Sequence, residues 1–129
     1  MIFVDTSALY ARLDRDDRHH RDAVEALARL ARSEPLLTHN YVVVESVALV
    51  RGRLGAEAAR TLLDDLLAPV EVAWVDRAVH EAAASAFLTL RGRVSLVDLA
   101  SFEVMRRMGI DTAFAFDRDF VRHGFRTVP

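Results

Sequence analysis

The strongest constraint on this chain is a repeated alternation of short apolar, β-prone runs with longer stretches of helical period. Ile2-Phe3-Val4 opens it and ends at Asp5-Thr6-Ser7, a strand-to-helix junction, after which Ala8 to Leu13 reads as helix. From His20 to Ser33, apolar residues at Ala23, Val24, Leu27, Ala28, Leu30 and Ala31 keep a helical period until Pro35 stops it. Leu36-Leu37-Thr38 is expected as a short buried strand. The run Tyr41-Val42-Val43-Val44-Glu45 pulls both ways. Its valines suit a strand, but Asn40 is a good N-cap, and Val43, Val47 and Val50 recur at helical spacing toward Gly52, so a helix is expected. A helix from Ala56 to Leu67 closes at Pro69, and Val70 to Val75 alternates as a strand. Asp76 caps a helix to about Leu90, and Ser95-Leu96-Val97-Asp98 is a capping-box pattern before a helix from Leu99 to Met108 ended by Gly109. Thr112 to Phe116 is the last expected strand. Such alternation specifies an α/β fold, a three-layer α/β/α sandwich around a mostly parallel sheet. A chain of 129 residues is expected to form it as one domain, residues 1–129.

Composition removes several function classes. Cysteine is absent, which excludes disulfides, thiol catalysis and Cys-based metal sites. All 17 basic residues are Arg, so neither a P-loop lysine nor a Schiff-base lysine exists, and there is no G-x-G-x-x-G. The formal net charge of −2 means that bulk positive charge does not hold this protein to nucleic acid. Apolar runs fall well short of the ~18 residues of a membrane span, and the acid at position 5 with no basic flank argues against a secretory signal. A cytoplasmic protein with no membrane contact is expected.

Ligands in open α/β sheets bind beyond the carboxyl ends of the strands. Asp5 falls there, as do Asp117 and Asp119. Glu45 sits in a valine-rich run and Asp98 in Leu96-Val97-Asp98-Leu99, surroundings in which a charge needs a partner. Each has an ordinary reading by itself: a helix cap for Asp5, a capping-box acid for Asp98, a solvated turn for Asp117-Arg118-Asp119, an edge glutamate for Glu45. Together they mean more. Converging carboxylates repel by about 4 kcal/mol per pair at 4 Å and an effective dielectric of 20, unless they protonate or hold a cation. An all-oxygen donor set favours Mg²⁺ or Mn²⁺, and such a centre activates water in phosphodiester cleavage.

In order along the chain, Ile2-Phe3-Val4-Asp5-Thr6-Ser7-Ala8, Glu45 within Val-Val-Val-Glu-Ser, Ser95-Leu96-Val97-Asp98, Phe116-Asp117-Arg118-Asp119-Phe120 and the trailing Gly124-Phe125 resemble the PIN-domain family, specifically VapC-like ribonuclease toxins of bacterial type II toxin–antitoxin pairs. The resemblance implies a Mg²⁺- or Mn²⁺-dependent endoribonuclease, a homodimer silenced by a cognate antitoxin, with RNA as substrate. It implies Asp5, Glu45, Asp98 and Asp117 as the catalytic acids, with Asp5, Asp98 and Asp117 on the metal and Glu45 or Asp117 orienting or deprotonating the attacking water. Thr6 is implied as the hydroxyl that orients Asp5, and Asp119 as sharing or replacing the role of Asp117. One departure is Ala115, where many relatives carry a hydroxyl two residues before the fourth acid.

Phosphate positioning would fall to guanidinium forks, with Arg51-Gly52-Arg53 and Arg91-Gly92-Arg93 the first pairs to test. Asp14-Arg15-Asp16-Asp17-Arg18 reads as a solvated loop, His19-His20 as exposed helix-start residues, and His39, His80 and His123 as isolated. Leu62, Leu63, Leu66 and Leu67 with Tyr41 and Val44 offer either core or an apolar patch for a dimer or antitoxin. The competing classes are an aspartyl-phosphate protein, disfavoured because no lysine balances a phosphoryl group, and a catalytically silent PIN-like interaction module.

Overall fold

The computed structural model describes residues 1–129. Five parallel strands, β1 (Ile2–Val4), β2 (Leu36–His39), β3 (Val70–Ala73), β4 (Thr112–Phe114) and β5 (Arg126–Val128), form one sheet in the order β3-β2-β1-β4-β5. Between them run helices α1 (Thr6–Leu13), α2 (His20–Ser33), α3 (Asn40–Leu54), α4 (Ala56–Thr61), α5 (Arg77–Thr89), α6 (Leu96–Met108) and the short α7 (Asp119–Arg122). Successive strand residues point to opposite faces, and Ile2, Phe3 and Val4 are all buried, so helices cover both faces of the central strand. The chain adds strands to one side of β1, then crosses to the other. The switch point therefore lies between β1 and β4, and the crevice at their carboxyl ends is where a ligand belongs.

An aromatic cluster fixes the relation of sheet to helices around that crevice. Phe102 of α6 meets Phe120 edge-on at 5.0 Å between centroids, and Phe120 lies 6.3 Å from Phe3 of β1. Phe125 stacks on Phe102 at 5.5 Å. Because Phe3 and Phe102 flank Asp5 and Asp98 in sequence, this packing sets where those two acids stand relative to each other.

Several expectations need correction. The helix over the valine run is capped by His39: its Nδ1 accepts from the N–H groups of Tyr41 and Val42 at 3.1 and 3.3 Å. Asn40 Oδ1 accepts from Val75 N–H at 2.7 Å and so anchors the chain beyond β3. The helix from Ala56 widens after Thr61 into a π-helical turn, Leu62–Leu66, which turns Leu62 and Leu66 inward and leaves Leu63 half exposed at 49%. α6 starts at Leu96, three residues earlier than the pattern suggested, with Ser95 Oγ accepting from Asp98 N–H at 3.0 Å. β3 and β4 stop short of Val75 and Phe116, and β5 and α7 were not foreseen. No helix is long and apolar enough to cross a membrane.

Candidate functional site

The expected acids meet in one cleft of about 390 Å³, walled by Asp5, Glu45, Asp98, Asp117 and Asp119, with Thr6, Ser7, Leu49 and Ser95 completing it. Four separate chain segments deliver them: the end of β1, the second turn of α3, the first turn of α6, and the stretch after β4 that runs into the first residue of α7. Asp98, Asp117 and Asp119 each bring an oxygen within 4.8 Å of the other two. Asp5 lies on the wall of the same cleft, outside that triad. Asp117 and Asp119, alternatives in the sequence, both line the cleft; Asp117 Oδ1 accepts from Asp119 N–H at 2.9 Å, and Arg122 pairs with Asp119 at 3.1 Å.

Asp5 caps α1. Its Oδ2 accepts from Ser7 N–H at 3.1 Å and from Ser7 Oγ at 2.6 Å. Ser7 Oγ in turn accepts from Phe116 N–H at 3.0 Å, which ties the β1 corner to the strand end that carries Asp117. The orienting hydroxyl therefore belongs to Ser7, not Thr6, whose Oγ1 accepts from Ser46 Oγ at 3.1 Å. This contact supplies the corner where Ala115 has no hydroxyl. The signal was present, because a serine two residues after an aspartate is the spacing of a side-chain turn, but it has meaning only once the helix is known to start at Thr6.

Burial pushes the Asp5 carboxyl up to about 6 against the lowering effect of the Ser7 hydrogen bonds, with the charges of Asp117 and Glu45 adding to the rise. Asp98 is pushed up to about 8, first by burial, then by the charges of Asp5 and Asp117. Asp5 Oδ1 is buried with no hydrogen-bond partner. A buried acceptor in that state costs about 1–3 kcal/mol unless something satisfies it. An orphaned carboxylate oxygen, two buried carboxyls whose ionisation is disfavoured, and an all-oxygen donor set together fit a hard divalent cation.

His39 holds the frame. It is fully buried, and because its Nδ1 accepts from two amides, the ring proton sits on Nε2, which donates to Ser101 Oγ at 2.8 Å. Ser101 Oγ in turn donates to Val97 O at 2.9 Å. The link joins the start of α3, which carries Glu45, to α6, which carries Asp98. Burial lowers the His39 pKa to about 4, in keeping with a neutral ring. His80 and His123 are not isolated either: Tyr41 Oη lies 2.6 Å from His80 Nδ1, and His123 stacks on Phe102 at 4.6 Å. Arg91-Gly92-Arg93 forms a left-handed turn after α5, where a side chain on Gly92 would meet the Phe87 ring at 3.3 Å, and it does not line the acidic cleft.

Comparison with known proteins gives a consistent result. The family model for the PIN domain matches residues 2–126. The 23S rRNA-specific endonuclease VapC20 of Mycobacterium tuberculosis is 38% identical, over 97% of this chain and 95% of its own length. The crystal structure of VapC20, described as a Sarcin-Ricin loop cleaving toxin, superposes with a TM-score of 0.85 and 36% identity, covering 100% of both chains. VapBC2 from Rickettsia felis, solved with a DNA fragment from its promoter, shares the fold at TM-score 0.72 with 15% identity, over 98% of this chain and 97% of that one. FitAcB from Neisseria gonorrhoeae does so at TM-score 0.72 with 16% identity, over 100% of this chain and 97% of that one. Its acids stand at the sheet's switch point, and the likeness runs from end to end: the protein belongs to the PIN-domain family.

Proposed function

We propose that the protein is a Mg²⁺- or Mn²⁺-dependent endoribonuclease that acts as the toxin of a toxin–antitoxin pair. The observation that carries this reading is the gathering of five carboxylates in one cleft, with a buried Asp5 oxygen left unpaired. Resemblance to a ribosomal RNA endonuclease over nearly the whole chain supports the substrate class, and large-subunit ribosomal RNA is the first substrate to try.

Asp5, Asp98 and Asp117 would hold the ion, with Asp119 beside them. When bound, it stabilises charge on the phosphodiester and lowers the pKa of water. Glu45, half-buried on α3, or Asp117 orients the attacking water and accepts its proton. Ser7 locks Asp5 in place, so Ser7→Ala is expected to lower the cleavage rate by about ten- to a hundredfold while the protein stays folded, measured as kcat at saturating RNA. An unchanged kcat would remove Ser7 from the site.

An antitoxin and a second copy of the chain are the partners this reading brings, in the cytoplasm. Trp74 at 79% exposure and Val44 at 69% border an apolar groove with Leu63 and Val72 that a protein partner would cover. The deciding experiment incubates purified protein with ribosomal RNA. Cleavage is expected with Mg²⁺ or Mn²⁺, lost in EDTA and restored by added metal. Cutting that continues undiminished in EDTA, or no cutting under any condition, refutes the proposal.

A further inference from the structure

The acidic cleft adjoins a second one, of about 300 Å³, and the two share Ser7, Leu49 and Asp117 in their walls. Across that shared wall the chemistry changes. Beyond the shared residues the second cleft is lined by Tyr10, Arg18, His19, Arg53 and Phe116, with Asp17 at its wall occupied by the His19 N–H. His19 lies flat on Phe116, with ring centroids 4.4 Å apart and planes within 9°. The Arg53 guanidinium sits 5.4 Å above the Tyr10 ring. These groups are held in place. Tyr10 Oη donates to Asp14 at 2.6 Å, His19 N–H donates to Asp17 at 2.8 Å, and Arg18 Nε donates to His19 Nε2 at 3.1 Å. The ion pairs of the molecule all lie elsewhere, so the charges of Arg18 and Arg53 are unmatched by any carboxylate in contact.

We propose that this second cleft is a nucleotide subsite for single-stranded RNA: a base extends the His19–Phe116 stack, and Arg18 and Arg53 fork the adjoining phosphate. The inference rests on the nuclease reading and adds to it the groups that seat the strand beside the acids. Stacked planar rings recognise any base through its π-face, and guanidinium forks match phosphate oxygens. An acidic peptide would use the arginines but gain little from the paired rings. The placement also resolves an electrostatic difficulty. A strand approaching five carboxylates on a protein of net charge −2 needs local positive charge next to the cleft, and these two arginines provide it.

The test is binding, kept separate from cutting. A fluorescent single-stranded oligoribonucleotide is titrated into Asp5→Asn protein with Mg²⁺, and into the same protein also carrying His19→Ala or Arg18→Ala with Arg53→Ala. His19→Ala is expected to weaken binding about tenfold, and His19→Phe to restore it, since a ring without hydrogen-bonding nitrogens still stacks. Loss of both arginines is expected to flatten the log–log salt dependence by about 0.7 per arginine removed. In the otherwise unaltered enzyme these changes raise KM more than they lower kcat. If the parent cuts RNA and all variants bind it with parental affinity and salt slope, the subsite is wrong and the nuclease reading stands. If the protein binds RNA through this cleft but never cuts it, the nuclease reading fails and the subsite stands. Variants that lose affinity for an acidic peptide while keeping it for RNA also overturn the subsite.

Discussion

Asp5→Asn is expected to reduce RNA cleavage by at least about a thousandfold while leaving the protein folded. The substitution is nearly isosteric. An asparagine oxygen can still accept from Ser7 N–H, so the cap on α1 survives, and the phenylalanine cluster that seats β1 against α6 is untouched. What disappears is the negative charge on the carboxylate that carries the one buried side-chain oxygen without a partner. The control is Asp64→Asn, an exposed acid on the π-helical turn, which should stay within about twofold of the parent. Rates are measured on the same RNA with Mn²⁺ in excess, with circular dichroism confirming the fold. An Asp5→Asn protein that cuts as fast as the parent would mean that the gathered acids are not the catalytic centre.

Much of this arrangement was legible in the sequence because it depends on local rules. The acids at the ends of Ile2-Phe3-Val4 and of the Thr112 run are placed by the alternation of strand and helix, and parallel connection brings such ends to one side of a sheet. Contacts whose meaning depends on three dimensions were not legible. His39 looked isolated because its partner, Ser101, is 62 residues away and the amides it caps belong to a helix that Asn40 seemed better suited to start. Sequence does not separate Ser7 from Thr6 as the hydroxyl that orients Asp5, because neighbouring hydroxyls differ only in the direction they point once the helix begins. The stack of His19 on Phe116 joins a residue that reads as an exposed helix start to the loop beyond β4, and nothing local announces it. β5 was missed because Arg126-Thr127-Val128 is short and partly polar, as an edge strand tolerates, and carries little β signal of its own.

The same crowding of acids predicts an unusual dependence of stability on pH. A carboxyl whose pKa is raised by folding holds a proton that the unfolded chain has already released. Its contribution to stability is therefore complete below the unfolded value of 3.8 and is lost as pH rises through the folded value, about 6 for Asp5 and about 8 for Asp98. His39 acts in the opposite sense. Its folded pKa is lowered from 6.5 to about 4, so its contribution is present above 6.5 and lost as pH falls toward 4. From pH 6.5 to 8 the Asp98 change outweighs the small opposing rise that His39 still contributes near 6.5. Over that range, metal-free protein in EDTA should lose roughly 1–1.5 kcal/mol of stability in urea unfolding. Asp98→Asn should remove that slope, so that the variant is already more stable than the parent at pH 6.5 and exceeds it by more at pH 8. Saturating Mn²⁺ should narrow that gap at pH 8, because an ion bound at about a hundred times its Kd stabilises the parent by about 2.7 kcal/mol and the variant, lacking a ligand charge, by less. Metal-free stability that is flat or rising from pH 6.5 to 8, or equal stabilisation of parent and variant by the ion, would show that Asp98 is neither destabilising when charged nor relieved by a cation. An acid buried at the first turn of α6 would then need a different explanation from the one that unites this cleft.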